Sequence, residues 1–177
     1  IEFFYSPARE IGGDYYDFIK AGPDSLLLVI ADVSGTGVSS ALLMASLRAA
    51  LRTEDHPWSD LAALAARLND FVHQSSEPGF FISFFIGVLD RASGEITYVN
   101  AGHNPPYLVN PGRKSETLDS TGFCLGMFPG VKFGTGTAVI ERGGLLLLYT
   151  DGVVEQRDPA GEEYGYTRLA EFLEKNM

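Results

Sequence analysis

The sequence predicts an α+β layered domain in which sheets are covered by helices, and three observations predict it. Residues 26–31 form a short continuous apolar run that fits a buried strand and ends on Asp32. Residues 38–53 are rich in Ala, Leu, Met and Arg without an interior Gly or Pro, and residues 59–75 carry apolar side chains at helical spacing. From residue 78 onward the pattern changes to β-prone runs separated by tight turns, the signature of antiparallel strands.

The chain of 177 residues suits one domain and is long enough to bury a substantial core. Its 45% hydrophobic and 20% charged residues are those of a globular protein. Thirteen Lys and Arg against 23 Asp and Glu give a net charge of −10, which argues against a nucleic-acid surface. No apolar run approaches the ~18 residues of a membrane span and no signal-peptide pattern opens the chain, so the expectation is a cytoplasmic domain without membrane contact. Cys124 is the only cysteine. An internal disulfide and a thiolate zinc site are therefore excluded, and a buried thiol is expected.

In chain order, residues 1–5 read as a strand. Gly12-Gly13 precede Asp14 and a run of aromatics that suits another. Ala21-Gly22-Pro23-Asp24 is a turn, so the strand after Asp14 and the strand leading to Asp32 are expected to pair as a hairpin. Asp32 then stands at a strand end, where Gly35 and Gly37 let the backbone turn tightly beside it. That arrangement presents either a metal ligand or a cap for the helix that follows. Residues 38–53 are apolar round most of their circumference and read as a largely buried helix. Ser59 is placed to cap the second helix, whose stripe runs through Leu61, Leu64, Ala65, Leu68, Phe71 and Val72; His73 near its end complements the helix dipole.

Residues 80–90 and 95–101 flank the turn Arg91-Ala92-Ser93-Gly94, and residues 107–110 and 115–118 flank Asn110-Pro111-Gly112-Arg113. Residues 131–140 and 145–150 flank Glu141-Arg142-Gly143-Gly144, and together these runs read as a meander. Residues 166–175 begin a third helix.

The grammar of Asp32 is repeated at Thr150-Asp151-Gly152, again an apolar strand followed by an aspartate and a glycine. With Asp14 as a third acid, the pattern suggests carboxylates converging on hard cations, because Mg²⁺ and Mn²⁺ prefer oxygen ligands. Two such ions lower the pKa of a water and make a nucleophile for attack on phosphorus. No Ser-His-Asp arrangement, P-loop or zinc spacing competes with this reading.

Four strings then occur in order: Pro7-Ala8-Arg9-Glu10-Ile11-Gly12-Gly13-Asp14-Tyr15-Tyr16-Asp17-Phe18, Ala31-Asp32-Val33-Ser34-Gly35-Thr36-Gly37, Asn100-Ala101-Gly102-His103 and Leu148-Tyr149-Thr150-Asp151-Gly152-Val153. Over nearly the whole chain they resemble the bacterial branch of the protein phosphatase 2C-like, metal-dependent (PPM) serine/threonine phosphatases, the stage II sporulation protein E and sigma-regulator group. The resemblance implies a four-layer α/β/β/α sandwich of two antiparallel sheets, a single phosphatase domain over residues 1–177, and two Mn²⁺ or Mg²⁺ ions at one end of the sheets.

By motif position, Asp32 would bridge both ions, the carbonyl of Val33 would bind one and Asp151 the other. Asp14 would hold a metal-bound water or join a further metal site. Arg9 would steady the phosphate, for which a guanidinium fork is suited, unless it is an ordinary surface arginine. The implied reaction is hydrolysis of phosphoserine or phosphothreonine by metal-activated water, and the implied substrate is a phosphorylated anti-sigma-factor antagonist, with a sensory domain upstream. Gly13, Asn100, His103 and Gly152 belong to the motifs as structural positions. For His103 a turn in which it hydrogen-bonds backbone is favoured over acid catalysis.

Two positions depart from the pattern. Thr36 stands where many relatives carry histidine. Relatives also continue past the third helix to a closing strand with an Asp-Asp pair, which does not occur by Met177; the expectation is a domain lacking its C-terminal strand, with an unpaired sheet edge that favours a homodimer. The alternative function is a catalytically impaired phosphatase-like module that binds or senses.

Overall fold

The computed structural model describes residues 1–6, 12–54 and 58–176. Two antiparallel sheets lie between helices. Strands β1 (Tyr15–Lys20), β2 (Ser25–Val33), β3 (Ile82–Asp90), β4 (Glu95–Ala101) and β7 (Gly136–Val139) form one sheet in the order β1-β2-β3-β4-β7. Strands β5 (Tyr107–Val109), β6 (Glu116–Thr117) and β8 (Leu145–Leu147) form the other, in the order β6-β5-β8. Helices α1 (Val38–Arg52) and α2 (Leu61–Ser75) cover the larger sheet and α3 (Gly165–Asn176) covers the smaller.

The layering follows from strand alternation, because successive side chains point to opposite faces. Along β2, Leu27, Val29, Ala31 and Val33 pack with Leu43, Met44, Leu47 and Leu51 of α1 and with Leu61, Leu64, Leu68 and Val72 of α2. Leu28 and Ile30 turn the other way and meet Phe85, Ile96, Tyr98 and Leu108 between the sheets. A third cluster, Tyr107, Val109, Tyr149, Val154, Leu169 and Leu173, joins the small sheet to α3. These three interfaces make the α/β/β/α stack.

Several local expectations are corrected. Residues 1–5 form no strand; the rings of Phe3 and Tyr5 lie against Tyr16, at centroid distances of 5.1 and 6.3 Å, so aromatic contact rather than a backbone ladder holds this segment. Helix α1 is buried along one face only, because Val38 and Leu42 are exposed while Ser40, Leu43, Met44, Leu47 and Leu51 are buried. Phe71 of the α2 stripe is 36% exposed. The cap of α2 is Asp60 and not Ser59: its carboxylate accepts the Ala63 N–H at 3.0 Å. The turn 141–144 is not a hairpin, since β7 pairs with β4 of one sheet and β8 with β5 of the other. His73 holds a loop through Nδ1, 2.9 Å from the Gly126 carbonyl.

Candidate active site

Register places the first two acids. Tyr15 pairs with Ala31 across the β1-β2 hairpin, and both face the helices. One residue further out, Asp14 stands opposite Asp32 on the face that looks toward the small sheet. Strand β3 continues that face: Ser83 is the register partner of Asp32. Asp32 does not cap α1, whose N-cap is Gly37 without a side-chain bond. Gly35 and Gly37, with φ of 86° and 92°, form the expected turn. The turn is pinned by Ser34, whose Oγ accepts the Phe81 N–H at 2.9 Å.

Gly13 brings the backbones of the two strands together at this end. A Cβ there would lie 3.2 Å from the Val33 carbonyl oxygen and 3.5 Å from Asp32 Oδ1, a tight fit that glycine relieves. Gly152 has open space around it and no such requirement in the fold.

The small sheet supplies the third acid. Strand β8 leads through Tyr149 and Thr150 into a single 3₁₀ turn, Asp151–Val153. The Thr150 hydroxyl donates to Asp14 Oδ2 at 3.3 Å, which ties the two sheets together across their mouth. Asp151 itself is exposed, and its carbonyl accepts the N–H groups of Val154 and Glu155 at 2.9 Å each.

Electrostatics register the convergence. Burial pushes the Asp32 carboxyl up to about 7, reinforced by the Asp14 charge, the hydrogen bond with Asp14 and the charges of Asp151 and Glu155. Burial also raises Asp14, against hydrogen bonds from Asp32 and Thr150, and the Asp151 charge raises it further. Both carboxyls are thus raised above the usual carboxylate range, in a field that Asp151 makes more negative at each of them. Glu155 has no motif context in the sequence; it follows Asp151 by one helical turn, and its charge acts on Asp32. Among the described residues no three His, Cys, Asp or Glu side chains stand close enough together to hold a metal ion.

Asn100 and His103 lie behind this mouth. Asn100 is fully buried and organises the loop: its Nδ2 donates to the Leu118 carbonyl at 3.0 Å and its Oδ1 accepts the His103 N–H at 2.8 Å. The His103 ring sits 2.9 Å from Ser83 Oγ through Nδ1. Burial lowers its pKa to about 4, with the Tyr149 carbonyl opposing, so the ring is neutral at physiological pH. Arg9 lies outside the described residues. Cys124, half-buried, has its thiol pKa raised by burial.

Two antiparallel sheets packed between helices are the fold shared with protein phosphatase 2C-type domains. The chain belongs to the stage II sporulation protein E (SpoIIE) family, whose profile matches residues 22–177. It is 33% identical over 204 residues to protein IcfG of Synechocystis, covering 100% of this chain and 32% of that one. It is 30% identical over 158 residues to the phosphoserine phosphatase RsbU of Bacillus subtilis, covering 88% and 46%.

Among solved structures, the RsbU and RsbW domains of Rv1364c from Mycobacterium tuberculosis superpose with a TM-score of 0.77 at 31% identity, over 96% of this chain and 47% of that one. RsbX in complex with magnesium shares the fold, with a TM-score of 0.68 at 20% identity over 95% and 81%. The chain spans less than half the length of the curated relatives it matches.

Proposed function

We propose that residues 1–177 act as a single phosphatase domain that hydrolyses phosphoserine or phosphothreonine on a regulatory protein, with a phosphorylated anti-sigma-factor antagonist as substrate. What supports this reading is the facing of Asp14 and Asp32 at one end of the large sheet, with the charge of Asp151 from the small sheet acting on both. Their mutual repulsion leaves a region of unbalanced negative charge that divalent cations would neutralise.

The donor set fits Mn²⁺ or Mg²⁺, since carboxylate and carbonyl oxygens suit hard cations, and Mg²⁺ is commonly held by one or two carboxylates with several waters rather than by an all-protein cage. Asp32, the Val33 carbonyl and Asp151 would hold two ions, with Asp14 beside them, and RsbX, of the same fold, was solved with magnesium. Such ions supply Lewis acidity that activates water toward phosphorus. The chain's own part is to fix the acids on strand ends and to hold Asp14 with the Thr150 hydroxyl. Arg9 is assigned to the phosphate on its motif position. The relatives' greater length supports a sensory domain elsewhere in the full protein, and a homodimer is part of the same reading.

The second reading is a phosphatase-like binding module, favoured by the absence of a closed three-residue cage among the described residues. A phosphatase assay on a phosphoserine antagonist domain, with Mn²⁺, with chelator, and with Asp32→Ala and Asp151→Ala, separates the two. Metal-dependent release of phosphate that both substitutions abolish is expected. Activity indifferent to both would end the metal reading, and an inactive full-length protein that still binds the phosphorylated antagonist would select the binding module.

A further inference from the structure

Beside α1 the fold leaves a cleft of about 400 Å³ that the acids do not line. Ala41, Ala45 and Ala49 recur along it at a spacing of four, so they share one face of the helix, and their methyl groups leave room that longer side chains would fill. Arg48 and Arg52 line it too, and their charges differ in what balances them. Arg52, the last residue of α1, is neutralised by Asp17, whose Oδ2 accepts from Nε at 2.8 Å. Arg48 is exposed and forms no hydrogen bond or ion pair among the described residues. It also stands four residues before the end of α1, short of the last turn where a cation gains most from the helix dipole. In a chain of net charge −10, most of the surface repels an acidic partner, and this cleft offers it an unbalanced guanidinium.

Position connects the cleft to the acids. Gly12, which also lines it, comes two residues before Asp14, so the two Cα atoms lie within about 7 Å of each other. Ala41 belongs to the first turn of α1, the helix that follows Asp32 and its glycine turn. Arg48 then lies about 10 Å further along the helix. An extended chain covers about 3.3 Å per residue. A segment whose phosphoserine sits at the acids therefore brings the side chain about five residues away to Arg48.

We propose that this cleft is a docking subsite for an acidic segment of the phosphoprotein substrate, and that Arg48 is its specificity-determining residue. This deepens the phosphatase reading above and rests on it. The guanidinium fork of Arg48 receives a substrate carboxylate, for which its planar donors are suited, and the alanine stripe gives the segment room to lie against α1. Arg48 takes no part in the chemistry at phosphorus; it selects which phosphoserine is presented.

The test uses the whole chain with Mn²⁺ and phosphoserine peptides of one scaffold, which carry a short run of glutamate, alanine or lysine centred about five residues before or after the phosphoserine. For wild type, glutamates on one of the two sides are expected to lower KM about two- to fivefold against the alanine peptide, the range of an exposed ion pair, with kcat unchanged. Added salt should shrink that preference. Arg48→Glu is expected to lose it and to favour lysines at the same positions, while p-nitrophenyl phosphate, too small to reach the cleft, is hydrolysed at the wild-type rate. Arg48→Ala should lose the preference without acquiring the reverse one. Arg91→Glu makes the same change of charge beyond Asp90, which pairs with Ser25 at the end of β2 opposite Asp32, and should keep the wild-type preference. Equal KM for the glutamate and alanine peptides in wild type, a preference that survives in Arg48→Glu, or an equal loss in Arg91→Glu would overturn the docking site while leaving the phosphatase reading intact. If wild type hydrolyses neither the peptides nor p-nitrophenyl phosphate, the phosphatase reading fails. Fluorescence anisotropy with the same peptides then decides the cleft: tighter binding of a glutamate peptide that Arg48→Glu abolishes would uphold it, and equal binding of all peptides would refute it.

Discussion

Asp14 and Asp32 face each other one step beyond the last paired residues of the first hairpin, with their carboxyl groups sharing a hydrogen bond at the open end of two stacked sheets. A hairpin has no need of two acids at that point. With Asp151 and Glu155 adding charge from the other sheet, the protein holds there an arrangement that costs folding energy at neutral pH.

Asp32→Asn should therefore separate stability from activity. In wild type the raised carboxyl pKa means that the folded state prefers the proton, so the metal-free protein loses stability as pH rises from about 4 to about 7. The amide removes that loss. At pH 7.5 without metal, the variant is expected to unfold later by on the order of 1 kcal/mol, after allowing for solvent on the open side of the group, while metal-dependent phosphatase activity disappears. Differential scanning calorimetry with chelator checks the first half and a phosphate-release assay the second. A variant that melts lower than wild type without metal would contradict the electrostatic account.

Much of this arrangement was legible in the chain. The alternation around Leu27 to Val33 gives the buried strand, and the two aspartate-then-glycine breaks mark where the sheets end. The crossover at residues 141–144 was not legible, because glycines that turn a hairpin equally well pass the chain from one sheet to another, and only tertiary pairing of β7 with β4 decides. Likewise Ser59 and Asp60 are both good caps; the carboxylate that reaches Ala63 wins by one residue. Residues 1–5 have strand composition, but composition cannot show that their rings find Tyr16 instead of a ladder. Glu155 carries no motif context, and its charge effect on Asp32 comes from how the chain continues after the 3₁₀ turn.

Glu155→Gln should weaken the attraction of the site for cations without dismantling it. Glu155 is exposed and acts on Asp32 through charge alone, behind the stronger effects of burial, Asp14 and Asp151. A few-fold rise in the Mn²⁺ dissociation constant is expected, shrinking as salt is added because exposed charges are screened beyond about 10 Å at 0.1 M. Asp158→Asn, three residues on and absent from the field at Asp32, serves as the control. Titration calorimetry at two salt concentrations reads both; identical affinities for Glu155→Gln and wild type at low salt would remove Glu155 from the site.

Asn69 is fully buried within α2, and its side chain holds the loop that follows Leu125. Its Oδ1 accepts the Gly126 N–H at 3.0 Å and its Nδ2 donates to the Phe128 carbonyl at 3.0 Å. Truncation leaves the buried Gly126 N–H unpaired, at a cost of about 1–3 kcal/mol, and frees the part-buried Phe128 carbonyl at a smaller one. Asn69→Ala should lower stability by at least about 2 kcal/mol in urea unfolding, whereas Asn69→Asp retains the acceptor and loses the donor, giving an intermediate value. Equal stability of wild type and Asn69→Ala would show that water replaces both bonds.

The acid limb of stability should depend on Asp17. Burial alone would raise its carboxyl, but three Arg52 hydrogen bonds, from Nε to Oδ2 at 2.8 Å and from Nη2 to Oδ1 and Oδ2 at 2.5 and 2.6 Å, together with the Tyr15 hydroxyl at 2.6 Å, hold it below the usual carboxylate range. A carboxyl whose pKa is depressed in the folded state stabilises above its unfolded value and loses that contribution as pH falls through the folded one. Asp17→Asn should accordingly melt about 2 °C below wild type from pH 5 upward, a modest figure because the Arg52 side chain is 45% exposed. The two melting curves should converge as the pH is lowered from 4 toward 2. Melting temperatures recorded across that range at fixed ionic strength provide the check: a gap that stays constant into acid would mean that the loss comes from packing at β1 and not from the Asp17 charge.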